Sequence, residues 1–257
     1  MNLNNEIHKL PLIRFAHVYK AFGKQKVCDN FNLDVRAGET VVIIGPSGVG
    51  KTVTIKMLIG LVLPDSGDIW FDGVNVAKFE RDKDFLPIRK RVAMVFQSSA
   101  LFDSMTVFDN IAYPLREHRQ LPPNELADVV LEKLEWVGLP DAAFKMPSEL
   151  SGGMKKRIGL ARAIVTNPEV ILYDEPTAGL DPINTVRITD VIMNLKERMR
   201  CTSIVVTHDI PVAERLSDRA AFLYDGKVKA QGTVAELAHS TDRYVSGFLA
   251  GDSSLAD

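Results

Sequence analysis

The chain has 257 residues, enough to bury one large core or one core with a smaller lobe attached. Its formal net charge is −2 and no long basic block stands out, so composition offers no electrostatic case for nucleic acid or an anionic membrane as a partner. The longest apolar runs are strand-sized, far below the roughly 20 residues of a membrane-spanning helix; Met1 to Glu6 lack the basic and apolar regions of a signal peptide. The two cysteines, Cys28 and Cys201, are too few and too isolated for a disulfide framework or metal knuckle, which points to a reduced, cytosolic setting with both thiols as packing residues.

In chain order, Leu12–Val18 and Phe31–Val35 alternate as half-buried strands, and Ala37-Gly38-Glu39 turns the chain into the apolar run Val41–Ile44. Residues 53–58 read as helix, Asp68–Phe71 before Asp72-Gly73 as a short strand, and Arg91–Phe96 as another. From about 104 to 165 the pattern favours helices: Leu126, Val130, Leu131, Leu134 and Val137 recur at helical spacing, with Asn124 as the expected cap and Gly138 as the stop. Strand-type runs return at Val170–Tyr173 and Ser203–Val206, separated by a helix over about 183–199, and Ala220–Tyr224 turns at Asp225-Gly226 into Lys227–Ala230 as a hairpin. Helices between buried apolar strands predict a parallel α/β core, and the helical stretch in mid-sequence predicts an inserted lobe.

Chemistry concentrates at a few places. Gly45-Pro46-Ser47-Gly48-Val49-Gly50-Lys51-Thr52 follows a strand and precedes a helix, the setting in which backbone N–H groups and a helix N-terminus close on phosphate oxygens. Lys51 is then expected to reach the β- and γ-phosphates, and the Thr52 hydroxyl to bind Mg²⁺. Asp174-Glu175 ends a strand; Asp174 would face Mg²⁺, directly or through water, and Glu175 would act as general base on the attacking water. Leu150-Ser151-Gly152-Gly153 opens a helix and supplies a second anion site on the same donor logic. The short basic runs Lys155-Lys156-Arg157 and Arg89-Lys90-Arg91 are expected to be solvated helix or strand-end faces.

Taken together, Gly45–Thr52, Gln97 after a strand, Leu150–Gly153, Asp174-Glu175-Pro176-Thr177, Gly179-Leu180-Asp181 and His208 after a strand give the chain a resemblance, over essentially its whole length, to the ATP-binding cassette (ABC) ATPases. The resemblance implies an α/β fold with a P-loop NTPase core of ABC ATPase type, an N-terminal antiparallel β subdomain and an inserted helical subdomain. The single domain 1–257 would divide into a core over about 1–97 and 166–235, a helical subdomain over about 98–165 and a C-terminal tail over about 236–257. It also implies ATP and Mg²⁺ as cofactors, and a homodimer that clamps ATP between the phosphate loop of one copy and the Ser151-Gly152-Gly153 segment of the other. Tyr19 matches the aromatic that stacks on adenine, with strand-end packing as its other reading. Gln97 matches the residue that senses Mg²⁺ and water, Asp181 the loop that couples two sites, and His208 the switch that contacts the γ-phosphate. His8, His17, His118 and His239 match no such position and are expected at the surface or in packing. Met154, Tyr173 and Val53 depart from the commonest residues of the family without removing any group assigned to phosphate, metal or water.

Within the family, residues 99–118, Leu-Ser-Gly-Gly-Met and Tyr-Asp-Glu-Pro-Thr-Ala-Gly-Leu-Asp-Pro resemble the ATPases of bacterial Mla-type lipid transporters, which are built around MCE proteins. That implies a peripheral subunit on the cytoplasmic side of the inner membrane, beneath an integral-membrane permease. A periplasmic MCE lipid-binding component and a small cytoplasmic accessory subunit complete the set, and the cargo is phospholipid moved between inner and outer membranes to maintain outer-membrane asymmetry. Leu101, Phe102 and Phe108 would then line a docking groove or pack the helical lobe, and Val245, Phe248 and Leu249, at helical spacing, would form a tail that contacts a neighbouring subunit or frays. An importer ATPase for amino acids or another small solute is the second reading. A chromosome-structure or DNA-repair ATPase is disfavoured, because no heptad run separates phosphate loop and signature, and a translation factor would carry two cassettes.

Overall fold

The computed structural model describes residues 10–118 and 121–252. In chain order it contains β1 (Ile13–Phe22), β2 (Gln25–Val35), β3 (Thr40–Ile44), α1 (Lys51–Leu58), β4 (Ser66–Phe71), β5 (Val74–Asn75), β6 (Val92–Val95), α2 (Val107–His118), α3 (Pro123–Trp136), α4 (Gly152–Ile164), β7 (Val170–Asp174), α5 (Pro182–Met199), β8 (Thr202–Thr207), α6 (Ile210–Leu216), β9 (Arg219–Tyr224), β10 (Lys227–Gly232), α7 (Val234–Ala238) and α8 (Arg243–Ala250). The described residues fall into two compact units, one drawn from Met1–Arg89 and Thr202–Asp257, the other from Lys90–Cys201. These units cut the chain at places other than the subdomain bounds read from the sequence, grouping β6, β7 and α5 with the helical stretch.

The first unit holds two sheets. Strands β2, β1, β4 and β5 form an antiparallel sheet in that order, and β10, β9, β3 and β8 lie side by side in another. Strand β3 pairs in parallel with both β8 and β9, so it is covered on both edges, and all five of its residues are buried, which is why Val41–Ile44 form an unbroken apolar run after Thr40 rather than an alternation. The hairpin β9–β10 turns at Asp225 (φ 49°) and Gly226 (φ 69°), the left-handed pair a tight two-residue turn requires. Gly226 has a second reason to lack a side chain: a Cβ there would come within 2.8 Å of the Asp29 nitrogen, whose N–H donates to the Gly226 carbonyl. Strand β1 runs four residues past the expected end, because shifts in its register let it bend: His17 has φ 50°, takes its backbone bond to the Asn32 side chain and leaves the β2 ladder there.

In the second unit β6 and β7 pair in parallel from Val92↔Val170 to Val95↔Tyr173. Helix α3 buries Leu126, Val130 and Leu134, as the spacing predicts, and the chain leaves it through Gly138 at φ 67°. Its start differs from expectation. Asn124 is not the cap: the helix begins at Pro123 after Pro122, because a proline at the first position has its φ preset and no N–H to satisfy. The loop before α2 is pinned by Asn110, a buried amide that accepts from the Phe102 N–H at 2.8 Å and donates to the carbonyls of Phe102, Met105 and Thr106 at 3.0–3.1 Å. Helix α5 starts on Asp181 and ends at Arg200, which stands at φ 50°.

Candidate active site

The first unit carries the phosphate loop. It leaves buried β3 at Gly45 (φ 152°), passes Gly48 (φ 79°) and enters α1 through Gly50 (φ 107°). Two of these glycines are compulsory on contact grounds as well. A Cβ at Gly45 would lie 2.2 Å from the Leu223 carbonyl oxygen, and one at Gly50 would lie 2.2 Å from Val27 Cγ1. The loop is therefore pressed against β9 on one side and β2 on the other, which fixes its curvature. Lys51, the first helical residue, is buried and folds its ammonium back over the loop to donate to the carbonyls of Gly45 at 2.8 Å and Pro46 at 3.0 Å. That arrangement turns two loop carbonyls to the lysine, and a helix N-terminus at the end of such a loop offers backbone donors to an anion. Ser47 and Gly48 are exposed, Pro46, Val49 and Thr52 half-buried.

Tyr19 stands in β1 with 39% of its surface exposed, a ring available for stacking, while its carbonyl accepts from the Asp65 N–H. His208 is exposed directly after β8, followed by Asp209, which caps α6 by accepting from the Val212 N–H. Of the other histidines, His17, His118 and His239 are exposed, and His8 lies outside the described residues.

The second unit carries the acidic pair and the signature. Asp174 closes β7, only 4% exposed, and Glu175 leaves the strand at φ 46°. Glu175 thus lies outside the strand alternation the sequence reading invoked, as a left-handed residue; non-glycine residues in that conformation are uncommon and persist where their surroundings support them. Ser151 caps α4 by accepting from the Met154 N–H at 3.3 Å, with Ser151 and Gly152 exposed and Gly153 buried. A Cβ at Gly153 would meet Asn184 Oδ1 at 2.9 Å. Asn184 in turn donates to Asp181, from its N–H at 2.9 Å and its side-chain amide at 2.5 Å, and these bonds hold the Asp181 carboxyl below its usual pKa. Signature and Asp181 loop are thus joined through Asn184, a residue the sequence reading passed over because its type alone signals nothing.

The basic runs need correction. Lys155 is half-buried, but Lys156 is buried, its ammonium on the Gln97 and Glu175 carbonyls, and Arg157 donates to the carbonyls of Val137 and Gly138 at the end of α3. Arg89 and Arg91 are also half-buried and paired, Arg89 with the Ile59 carbonyl and Asp82, Arg91 with Glu169; Lys90 alone of that run is exposed. Helix carbonyl ends attract cations, and that demand is invisible in a run of basic letters. Gln97 itself is exposed after β6. Phe102 is partly exposed and packs against Tyr113 with the rings tilted by 55° and centroids 5.0 Å apart, while Leu101 and Phe108 are half-buried. Helix α8 buries Val245, sets Phe248 against Phe222 and stacks Tyr244 on Tyr224 at 4.8 Å.

Known proteins agree with this geometry. A family profile described as ABC transporter matches residues 28–178, more than half of the chain. The intermembrane phospholipid transport system ATP-binding protein MlaF of Haemophilus influenzae is 46% identical over 231 residues, covering 90% of this chain and 87% of that protein; its Escherichia coli K12 counterpart is 45% identical over 229 residues, 89% and 85%. The probable ribonucleotide transport ATP-binding protein mkl of Mycobacterium tuberculosis is 41% identical, covering 90% of this chain and 64% of that protein. Among solved structures, the dimeric post-hydrolysis state of the ATP-binding cassette MJ0796 bound to ADP and Pi superposes with a TM-score of 0.78 at 31% identity, over 86% of this chain and 98% of that one. With a phosphate loop in which a Cβ at Gly45 or Gly50 would clash and a profile match across the phosphate loop, signature and acidic pair, this chain belongs to the ABC transporter family, as one of its ATP-hydrolysing cassettes.

Proposed function

We propose that the chain is the ATPase subunit of a phospholipid transporter, working as a homodimer on the cytoplasmic side of a bacterial inner membrane beneath integral permease subunits, with an MCE-type periplasmic component and a small accessory subunit. The phosphate loop carries the ATP assignment: Lys51 bonds the Gly45 and Pro46 carbonyls, the loop leads into the N-terminus of α1, and a Cβ at Gly45 or Gly50 would clash with the structure around it. In this reading Gly45–Thr52 grips the phosphates, Tyr19 stacks on adenine, and Thr52, Gln97 and Asp174 serve Mg²⁺. Among the described residues no cluster of three or more His, Cys, Asp or Glu could hold a metal by itself, so the ion would arrive with the nucleotide. Glu175 is the general base, His208 contacts the γ-phosphate, and Ser151-Gly152-Gly153 with Asp181 serves the second copy's nucleotide. ATP-driven closure of the dimer followed by hydrolysis would move the permease between conformations. Among the described residues no helix is long and apolar enough to cross a membrane.

The cargo assignment rests on likeness to MlaF proteins at 45–46% identity, against 41% for the protein named for ribonucleotide transport. Two measurements test the proposal. Glu175→Gln is expected to bind ATP, trap a closed dimer and lose hydrolysis, whereas Lys51→Ala loses binding; undiminished turnover by the Glu175 variant would refute the base. Purifying the tagged chain from membranes should recover a permease and an MCE protein with bound phospholipid by mass spectrometry, and recovery of an amino-acid-binding protein with its permease would refute the cargo.

A further inference from the structure

Helix α4 carries a buried cation that the roles above leave unused. Lys156 lies one turn past the Ser151 cap with 8% of its surface exposed, and its ammonium donates to the Gln97 carbonyl at 2.5 Å and, at the outer limit of a hydrogen bond, to the Glu175 carbonyl at 3.5 Å. Burial lowers its pKa from the ordinary 10.5, and the carboxylates of Asp174 and Glu175 oppose that by favouring the charged form. An apolar side chain would fill the same space without the cost of desolvating an ammonium, so the lysine's donors are the reason for its being there.

The same helix holds the rest of the loop after Gln97. A Cβ on Gly159 would stand 3.4 Å from the Ser99 side chain and carbonyl, and Arg162 donates to the carbonyls of Ser99 at 2.8 Å and Ala100 at 2.7 Å. Ser99 and Ala100 have φ of 63° and 46°, two adjacent left-handed residues whose carbonyls accept bonds from α4, and Glu175, whose carbonyl Lys156 reaches, is left-handed as well. Left-handed non-glycine residues persist where the surroundings over-determine them, and α4 supplies part of that determination, beside the Ala178 N–H on the Glu175 carbonyl at 3.1 Å and the Ser99 N–H on the Phe96 carbonyl at 3.0 Å.

We propose that Lys156 is a positioning residue for hydrolysis: by bonding two backbone carbonyls at once it fixes Gln97 and Glu175 relative to each other and ties both to the helix that begins at Ser151. The inference rests on the roles assigned above to Gln97 and Glu175. A rotation of α4 on engagement of the Ser151 segment would then reposition metal-sensing and base residues together, which a solvated lysine could not do.

The test uses the full-length chain in the membrane complex from which it is purified, with Lys156→Met, Lys156→Arg, Glu175→Gln and Lys51→Ala. Loss of a charge-assisted hydrogen bond predicts that Lys156→Met lowers kcat by about tenfold or more. The Kd of a non-hydrolysable ATP analogue should stay within about twofold and the unfolding temperature near that of the parent, because one interior contact set changes while the nucleotide contacts do not. Arginine, which also offers several donors, should recover much of the turnover. Parental turnover in Lys156→Met overturns the inference, as does a parallel loss of kcat, nucleotide affinity and thermal stability. Hydrolysis surviving in Glu175→Gln would sink the underlying roles, whereas an inactive Glu175→Gln beside a fully active Lys156→Met would sink the inference alone.

Discussion

Gly45→Ala is the sharpest test of how the phosphate loop is held. The perturbation adds one methyl group at a position where φ is 152° and where that methyl would overlap the Leu223 carbonyl oxygen at 2.2 Å, with the Leu223 carbonyl carbon at 3.2 Å. Holding a residue with a side chain in such a backbone region costs about 1–3 kcal/mol. The overlap is with backbone on a buried strand, so it cannot be relieved by a rotamer change, and forcing an extra methyl into packed structure costs about 1–3 kcal/mol more. Gly48→Ala is the internal control: its φ of 79° carries strain, but a Cβ there meets nothing within 4 Å, so its cost is about 1–2 kcal/mol. At about 2–4 °C per kcal/mol for a chain of this size, Gly45→Ala should lower the unfolding temperature by about 10 °C and Gly48→Ala by about 4 °C. Thermal unfolding of both variants without nucleotide measures the difference, and titration with ATP should show the weaker binding in Gly45→Ala, because the loop must move off β9 to make room. Equal losses in the two variants would refute the claim that contact with Leu223, and not φ alone, dictates glycine at 45.

Three further outcomes follow from buried polar groups. Burial alone would raise the Glu39 carboxyl, but bonds from Arg219 and the Arg36 N–H outweigh it and hold its pKa below the ordinary 4.5, so the pair stabilises the fold above that pH and loses its contribution as pH falls through the lower folded value. Arg219→Met leaves Glu39 buried without its guanidinium, which should cost about 2 kcal/mol at pH 7; the gap to the parent should shrink on acidification to pH 4, and a gap that widens would refute the sign. Burial, with help from Asp65 and against Lys20, pushes the Cys28 thiol up to about 12, so in a Cys201→Ser background Ellman's reagent at pH 8 should label it only at the unfolding rate; labelling on mixing would contradict that. Asn110→Ala removes all four bonds that pin the loop before α2, which should cost about 3 kcal/mol and raise amide hydrogen exchange selectively at 102–106; unchanged exchange there would show that the loop is held by something else.

Much of the fold was legible because the determining physics is local. Strand β3 reads as buried on both faces since Val41–Ile44 shows no alternation, the hairpin at Asp225-Gly226 reads from its turn residues, and α3 reads from Leu126, Val130 and Leu134. Where the reading slipped, two local signals competed. Asn124 is a good capping residue, but Pro122-Pro123 lies upstream and presets the backbone first. The bend at His17 was hidden because its cause, the side chain of Asn32, belongs to another strand.

The site shows the same division more sharply. Gly45–Thr52, Ser151–Gly153 and Asp174-Glu175 were visible because a phosphate or a metal demands particular residue types at fixed spacing, so the chemistry is written in the letters themselves. Lys156, Arg162 and Asn184 do their bonding to backbone carbonyls or to a neighbouring loop, and a backbone carbonyl carries no letter. A lysine within Lys155-Lys156-Arg157 is solvated or buried according to which direction the helix turns it, and Lys156 is turned onto the carbonyls of Gln97 and Glu175. Glu175 itself and Ser99, two residues past Gln97, adopt left-handed φ, a conformation that residue type signals only for glycine. Residue types suited to phosphate and metal are therefore legible in the chain, while groups that bond backbone carbonyls emerge only from tertiary geometry, and on the proposal above the buried cation on α4 is the case in which that second class bears directly on hydrolysis.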